Sequence, residues 1–315
     1  MGIALATYYL KIMDNDKKEY VYLDQLGIQS HLFTSKDYSQ YKDSYFCFNQ
    51  CLNDLKESGK KHESKKKRIK VDHVKDNERL ISGLVLAGNL GAEQTAMGPE
   101  DSDDTIINHD TAVGPPYYFL MFLPEKSIEG IVILERRERA IKEIFQFLLN
   151  QAFKDLKIGS FSVELNQFVP QKILEEYVSE GVINKITYVS YIKNDSTDLV
   201  YEGLQGQKGE INLQYKFMDK PLVRDKLRTL LLGLRKLTKK EMNIRGNPYD
   251  DMKIELGVGN GEQKKHKRTF TISNPENSYP YYDLTEDDIK MEKGNPVFES
   301  IDDYAKDYLK RVLKS

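Results

Sequence analysis

Residues 115–153 read PPYYFLMFLPEKSIEGIVILERRERAIKEIFQFLLNQAF, and this stretch is the densest supply of apolar side chains in the chain. Its first part, 117–123, is an unbroken apolar and aromatic run, and 128–134 is a second run rich in β-branched residues. Both runs are typical of buried strands. From Glu138 onward the apolar residues recur at helical spacing, with charged residues between them. The stretch therefore predicts a strand, a turn, a second strand and an amphipathic helix.

The composition excludes several classes of protein. The 47 Lys and Arg residues nearly balance the 49 Asp and Glu residues, so the net charge of -2 gives no overall attraction to nucleic acid or membrane. No apolar run approaches the roughly 18 residues of a spanning helix, and the N-terminus has no recognisable leader. We therefore expect a cytoplasmic protein without direct membrane insertion. The two cysteines, Cys47 and Cys51, have no Cys or His neighbours at zinc spacing and predict neither a disulfide framework nor a metal site.

The remaining chain alternates strand patterns with helix patterns, without a repeat or a series of βαβ units. This predicts the α+β class, with mixed or antiparallel sheets and three to four packing helices around the central unit at 115–153. We predict two domains, 1–155 and 156–315. The first would hold a basic loop at 58–75, which is either a mobile surface loop or a strand flanked by one, and an acidic loop at 98–110. The second would hold amphipathic helices at 221–237 and 298–313.

Glycines interrupt one predicted strand. The apolar segment 80–90 contains Gly83 and Gly88, and Gly91 follows it. A glycine inside a strand marks a bend or the close approach of another backbone. We expect one of these at this strand.

One set of residues fits a metal-dependent nuclease. Asp110 lies in the acidic loop, and Glu135 and Arg137 form an acid-x-base pair at the end of a predicted strand. Carboxylates would hold Mg²⁺, and a basic residue would act on the attacking water, although lysine is more usual there because it can lose its proton. The spacing is generic, and solvated acids in local ion pairs are the simpler interpretation. Mg²⁺ is expected only under this alternative; otherwise we predict no cofactor and no metal.

Positive charge is segregated into three segments, at 60–75, 224–245 and 264–268, while 101–104 and 286–303 are acidic. A basic face of this kind binds the phosphate backbone through counterion release, with little reading of sequence. A lysine run is also typical of a solvated loop, and that interpretation stays open. The residues predicted to contact DNA are Lys65, Lys66, Lys67, Arg68, Lys70, Lys239, Lys240, Lys264, Lys265, Lys267 and Arg268. No aromatic residue is interleaved with these lysines as a stacking platform would be, which favours duplex over single strands.

Three stretches carry a resemblance to a known family. Residues 6–26, ATYYLKIMDNDKKEYVYLDQL, resemble the start of the RexA-like phage-exclusion sensors of lambdoid prophages. Residues 115–137 and the closing IDDYAKDYLKRVL at 301–313 are similar to bacterial proteins that accompany phage-defence genes. The resemblance implies a dimeric DNA-binding protein that senses phage nucleoprotein and signals to a partner, in the Rex case a membrane channel. It carries no functional residue across position by position.

Three functional hypotheses follow. The first is a non-enzymatic antiviral protein that binds double-stranded DNA largely without sequence specificity, as a sensor or effector, and forms homo-oligomers with a possible membrane or effector partner protein. The second is a Mg²⁺-dependent nuclease effector that uses Glu135. The third is a protein-interaction module that recognises a phage or partner protein. The sequence identifies neither the trigger nor the partner.

Overall fold

The chain forms two compact units. The first comprises Met1–Gln167 and Tyr281–Lys310, and the second comprises Phe168–Pro280 and Arg311–Ser315. A computed structural model describes residues 3–26, 42–62, 66–91, 94–96, 105–109, 111–137, 141–158, 160–170, 175, 178–179, 182–192, 209–218, 225–231, 242–244, 247–258, 266–271, 282–284 and 288–314.

The described residues contain strands and four helices, which we number in chain order. They are β1 (Ile3–Asp14), β2 (Glu19–Tyr20), α1 (Ser44–Glu57), β3 (Lys60–His62), β4 (Lys67–Asn77), β5 (Leu80–Asn89), β6 (Gln94–Ala96), β7 (Thr105–Ile107), β8 (Pro116–Phe122), β9 (Gly130–Arg136), α2 (Lys142–Leu156), β10 (Phe161–Gln167), β11 (Val182–Ile192), β12 (Gly209–Lys216), α3 (Asp225–Leu231), β13 (Asn243–Ile244), β14 (Asn247–Pro248), β15 (Asp251–Val258), β16 (His266–Thr271), β17 (Tyr282–Leu284), β18 (Met291–Glu292), β19 (Asn295–Pro296) and α4 (Phe298–Leu313).

Two antiparallel sheets organise these strands. Among the described strands, nine form the sheet of the first unit in the order β10-β1-β9-β8-β5-β4-β3, with β2 and β17 also pairing with β1. The sheet of the second unit has the order β12-β11-β15-β16. The short pairs β6–β7, β13–β14 and β18–β19 are separate hairpins. The protein is thus α+β with antiparallel sheets, as the sequence predicted.

The central unit has the predicted order of strand, turn, strand and helix. Strands β8 and β9 pair in register from Phe119 opposite Leu134 to Phe122 opposite Ile131. Helix α2 then packs its apolar face on the sheet, where the Phe119 and Phe145 rings lie 4.9 Å apart. Both faces of these strands are covered, one by α2 and the other by α4, which explains why their sequences are continuous apolar runs rather than alternating ones.

The first sheet curls around α2. On β3, at one end of the sheet, Lys60 forms an ion pair with Asp155 of α2, and His62 stacks on Phe147 of the same helix. On β10, at the other end, both the amide and the carbonyl of Val163 bind side chains of α2. Strands from both ends of the sheet therefore contact one helix, and the core that they enclose also includes the apolar face of α1.

Helix α4 covers the opposite face of this sheet and is anchored by a buried polar cluster. Its Asp302 accepts a hydrogen bond from the Tyr118 hydroxyl of β8 at 2.9 Å and one from Lys306 at 2.7 Å. Lys75 of β4 lies 3.6 Å from the same carboxylate. Burial alone would raise the pKa of Asp302, but hydrogen bonds from Lys306, Ser82 and Tyr118 outweigh it and lower the pKa below its ordinary value.

The domain boundary differs from the predicted one. Strand β10 and most of α4 belong to the first unit, not to a domain at 156–315, because β10 pairs with β1 and α4 is anchored to β8. Helix α4 has the predicted bounds. Of the helix predicted at 221–237, the described part is α3 at Asp225–Leu231.

The two predicted loops contain strands. The basic segment at 58–75 contains β3 and the first nine residues of β4, because Ile69 and Val71 alternate with exposed residues and enter the core. In the acidic loop at 98–110, residues 105–107 form β7, and 98–104 and Asp110 lie outside the described residues.

The glycines of β5 mark close approaches, as expected. A Cβ on Gly83 would overlap the carbonyl oxygen of His73 on β4 and would lie 2.8 Å from the Phe119 ring. A Cβ on Gly88 would lie 2.7 Å from the backbone nitrogen of Val113. Residue size at these positions is therefore limited by neighbouring backbone, which cannot rotate away as a side chain can.

We expect Gly83→Ala to destabilise the first unit by about 3 kcal/mol, because the added methyl group forces a shift of the β4 backbone or the Phe119 ring. Urea denaturation followed by far-UV circular dichroism measures the change. Gly91→Ala is the matched control: no atom lies within 4 Å of a Cβ there, and the free energy of unfolding should change by less than about 0.5 kcal/mol. Equal effects of the two substitutions would contradict the packing at Gly83.

Candidate nucleic-acid interface

The candidate interface lies on the hairpin of β3 and β4. The register places Lys61 opposite Arg68 and His62 opposite Lys67. Residues directly opposite in an antiparallel pair lie on the same face of the sheet, so Lys61 and Arg68 share a face. Lys70 lies two residues beyond Arg68 and therefore also lies on this face. We call Lys61, Arg68 and Lys70 the cationic strip.

The cationic strip faces away from α1 and α2. Ile69 and Val71, which alternate with its residues on β4, are fully buried in the core against these helices. Lys61, Arg68 and Lys70 are exposed. Opposite Lys70 the neighbouring chain has Gly59, where a Cβ would lie 3.4 Å from Lys70 Cβ and 3.6 Å from Arg68 Nε. Because Gly59 has no side chain, its backbone next to Arg68 and Lys70 is not covered by a side chain of its own.

Two residues of the strip, Arg68 and Lys70, form no ion pair with the described residues. Within that part of the chain, no carboxylate lies within ion-pair distance of Arg68 or Lys70, nor of Lys66 at the start of the hairpin's second strand. By contrast, Lys60 on the other face is bound to Asp155. Exposed cations that the fold does not use are available to an anion in solution.

Two further predicted contact residues, Lys66 and Lys67, lie beside the cationic strip in sequence, and Lys67 lies on the other face of β4. Lys67 is half-buried and lies on the α2 side, opposite His62, because its side chain alternates with that of Arg68. It therefore does not join the cationic strip. Lys66 is exposed, with a φ of 47° in the left-handed region.

The other predicted basic residues are only partly described. Lys267 and Arg268 lie on β16 of the second unit. The described ranges do not include Lys65, Lys239, Lys240, Lys264 and Lys265.

Sequence reasoning missed Lys61. The register of β3 with β4 brings Lys61 and Arg68 opposite each other. The charge pattern left a loop and a strand flanked by one both open, and neither interpretation gave a strand register from which to find such a partner.

The nuclease residues Glu135 and Arg137 are brought together, but as a buried ion pair. Arg137 Nε lies 2.6 Å from Glu135 Oε1, and the two side chains are 7% and 0% exposed. The second carboxylate oxygen accepts the backbone N–H of Tyr118 at 2.8 Å. Arg137 also donates to the carbonyl of Pro116 and to Asn295 of β19. Both oxygens of Glu135 are therefore occupied by protein groups.

Glu135 and Arg137 bind backbone groups of β8 beyond the point where β8 and β9 stop pairing. The pairing of β8 with β9 ends at Phe119 opposite Leu134. Beyond that point the Glu135 carboxylate accepts the Tyr118 N–H and the Arg137 guanidinium binds the Pro116 carbonyl, so side chains replace backbone partners. Burial raises the pKa of Glu135, while the Arg137 charge and the Tyr118 hydrogen bond oppose the rise.

The described residues also lack a ready metal site. No group of three or more His, Cys, Asp or Glu side chains among them is arranged to hold a metal ion. Asp110, the third predicted nuclease residue, lies outside the described residues. Cys47 and Cys51 are buried and form no disulfide. Burial raises the pKa of Cys51 to about 12 and also raises the pKa of Cys47, so neither is a reactive thiolate.

Comparison with other proteins adds no family assignment. No protein-family model matches the chain, and no curated protein matches it. None of the described helices is long and apolar enough to cross a membrane. Function must therefore be inferred from the positions of the side chains themselves.

Proposed function

We propose that this chain binds double-stranded DNA with little sequence specificity and acts as a sensor or effector in defence against phages. The observation that carries the DNA-binding part is the cationic strip, where Lys61, Arg68 and Lys70 share one exposed face of β3 and β4. The defence role, the homo-oligomer and the partner protein are supported by the resemblance to the RexA-like sensors.

The geometry of the strip suits a phosphate backbone. Arg68 and Lys70 are two residues apart on one strand, which separates their Cα atoms by about 7 Å. Arginine binds phosphate through two parallel hydrogen bonds, and lysine acts as a compact charge. Such contacts position a protein on DNA without reading bases. The described parts of the hairpin present no Phe, Tyr or Trp on which an unpaired base could stack, which favours the duplex.

The salt dependence of binding tests this proposal. Two phosphates neutralised by Arg68 and Lys70 predict that log K falls with log salt with a slope of about -1.8, and we expect Arg68→Glu and Lys70→Glu each to reduce its magnitude by about 0.9 or more. Fluorescence anisotropy with a random-sequence duplex at several salt concentrations measures the slope. Binding should weaken equally for unrelated sequences, because phosphates are common to all of them.

Lys126→Glu is the matched control. Lys126 is an exposed lysine in the turn between β8 and β9, and the strand register places that turn at the opposite end of the sheet from Arg68. It should leave the slope unchanged. Two results would contradict a role of the cationic strip in DNA binding. One is a salt slope that changes as much with Lys126→Glu as with Lys70→Glu, and the other is a salt slope that changes with neither substitution.

The nuclease alternative predicts cleavage of the same duplex on addition of Mg²⁺. The buried pairing of Glu135 with Arg137 gives that carboxylate a structural role, so we expect intact DNA on a denaturing gel. Cleavage would favour the effector nuclease. Failure to bind DNA at every salt concentration would favour the third hypothesis, a module that recognises a protein.

A further inference from the structure

A groove of about 500 Å³ runs along α2 in the first unit. Six of its nine lining residues, between Glu143 and Lys154, lie on the side of α2 that is turned away from the buried core. The other three are Phe161 and Ser162 of β10 and Asn15 in the turn after β1. We call this site the α2 groove. Its volume is within the range of small-molecule sites, roughly 300–1,000 Å³.

Hydrogen bonds between the lining elements hold the walls of the α2 groove. Asn150 of α2 accepts the backbone N–H of Val163 at 2.7 Å, and Gln146 donates to the Val163 carbonyl at 2.7 Å. The Ser162 hydroxyl donates to Asn15 Oδ1 at 2.9 Å, which ties the turn after β1 to β10. The groove therefore has its shape before a ligand binds, and binding requires little ordering of its walls.

Some polar groups of the α2 groove are not used by the fold. Among the described residues, the Gln151 side chain, the Lys154 ammonium and the Asn15 amide nitrogen have no hydrogen-bond or ion-pair partner. The neighbouring Asp155 is different, because it is paired with Lys60 of β3. One cation and two amide groups that line the same groove are thus available to a ligand.

These groups follow a definite order along α2. Phe147 lies one turn after Glu143, and Gln151 lies one turn after Phe147. With a rise of about 1.5 Å per residue, Lys154 is about 10 Å from Phe147 and about 16 Å from Glu143 along the helix axis. An aromatic ring and an amide therefore lie between a carboxylate at one end of the groove and an ammonium at the other.

This order matches a heteroaromatic base that carries one phosphate. Aromatic side chains such as Phe147 and Phe161 bind the face of a base by stacking. A side-chain amide such as that of Gln151 has a donor and an acceptor and binds the edge of a base through two hydrogen bonds. Lysine binds phosphate as a compact charge. Among the described residues that line the groove Lys154 is the one cation, so a single phosphate is the better match.

We propose that the α2 groove binds a nucleoside monophosphate, with the base against Phe147 and Phe161, the base edge on Gln151 and the phosphate on Lys154. The carboxylate of Glu143, at the far end, directs the phosphate toward Lys154 by repulsion. The site is separate from the proposed DNA interface, because it shares no residue with the cationic strip.

Saturation-transfer NMR tests the proposal by titrating the full chain with AMP, GMP, CMP and UMP, one at a time. We expect at least one of them to bind, with more saturation on the base protons than on the ribose protons. The parent nucleoside and ribose 5-phosphate should each bind at least about tenfold more weakly, because each lacks one of the two recognised parts.

Substitutions at two residues separate the two ends of the ligand. Lys154→Gln should weaken the nucleotide about tenfold and leave the affinity for the parent nucleoside unchanged, because the nucleoside has no phosphate. Gln151→Leu should weaken both about tenfold, because both contain the base. A residue with a purely structural role would not distinguish the nucleotide from the nucleoside.

Lys157→Gln is the matched control. Lys157 is exposed and follows the same end of α2, but it does not line the groove. The substitution removes the same charge and should leave the nucleotide affinity unchanged. Arg68→Glu should also leave it unchanged, and Lys154→Gln should leave the salt slope of DNA binding unchanged.

Three results would overturn the proposal. The first is that none of the four nucleotides binds at millimolar concentration. The second is that ribose 5-phosphate binds as tightly as the nucleotide, which would show recognition of phosphate without the base. The third is a nucleotide affinity that responds to Lys154→Gln no more than to Lys157→Gln or Arg68→Glu. A chain that binds the nucleotide as expected but does not bind DNA would support this site and contradict only the function proposed for the cationic strip.

Discussion

Glu135→Ala is expected to destabilise the first unit by about 4 kcal/mol, a large part of the stability of an ordinary domain. The substitution leaves the Arg137 guanidinium, which is 7% exposed, without its charge partner. It also leaves the Tyr118 N–H without an acceptor, at the point where the β8–β9 ladder has already ended. A buried charge that loses its partner costs more than the pair contributes, because its desolvation is no longer compensated.

Graded variants distinguish this structural role from catalysis. Glu135→Gln keeps an acceptor for Tyr118 and removes only the charge, so its effect should be smaller than that of alanine. Urea denaturation should be followed by tyrosine fluorescence, since the chain has 20 tyrosines and no tryptophan. The chain divides into two compact units, and we expect the substitution to shift the transition of the first unit. An alanine variant of full stability would contradict the buried network, and lost Mg²⁺-dependent cleavage in such a variant would restore the nuclease hypothesis.

Asp302→Ala is expected to destabilise the first unit by about 3 kcal/mol. The Tyr118 hydroxyl, buried between β8 and α4, loses its acceptor, and the charge-assisted hydrogen bond from Lys306 is lost. The effect is smaller than at Glu135 because Lys306 and Lys75 are partly exposed and return to water. Tyr118→Phe combined with Asp302→Ala should cost less than the sum of the single changes, because the two groups form one hydrogen bond.

The pH dependence has a defined sign. The pKa of Asp302 is lower in the folded protein than its ordinary value of 3.8. Its contribution is therefore complete above about pH 4 and is lost as the pH falls through the lower, folded value. The difference in the free energy of unfolding between wild type and Asp302→Asn should narrow over this acidic range. Tyr308→Phe, which removes the hydrogen bond with Thr7 and no carboxylate, should show no such narrowing. A difference that stays constant with pH would contradict the charged state of Asp302.

The local spacing of apolar residues predicted the strands and helices whose own sequences show a clear apolar pattern. Strands β8 and β9 and helices α2 and α4 were predicted because period-two, continuous and 3.6-residue apolar patterns are properties of neighbouring residues. The glycines of β5 predicted close backbone approach, and Gly83 and Gly88 confirmed it. The sequence left the basic segment open between a loop and a strand flanked by one. The short alternation of Arg68, Ile69, Lys70 and Val71, typical of a half-buried strand, belongs to β4.

The candidate site was less predictable because side-chain partners lie far apart in the chain. Arg137 was assigned to catalysis from its spacing with Glu135, but it also binds Asn295, 158 residues later. No pattern within a short window contains that contact. Likewise the role of Lys61 depends on the register of β3 with β4, which sets which lysines share a face.

The sequence by itself determined the α+β class, the central strand-strand-helix unit and the closing helix, because these follow from the local spacing of apolar residues. Only the tertiary structure decided that α4 belongs to the first unit, through a hydrogen bond between residues 184 positions apart. It also decided that Lys61, Arg68 and Lys70 form one strip and that Glu135 is buried. The physical reason is that charge and hydrogen-bonding capacity are fixed by residue type, whereas burial and pairing depend on which distant strands and helices cover each residue.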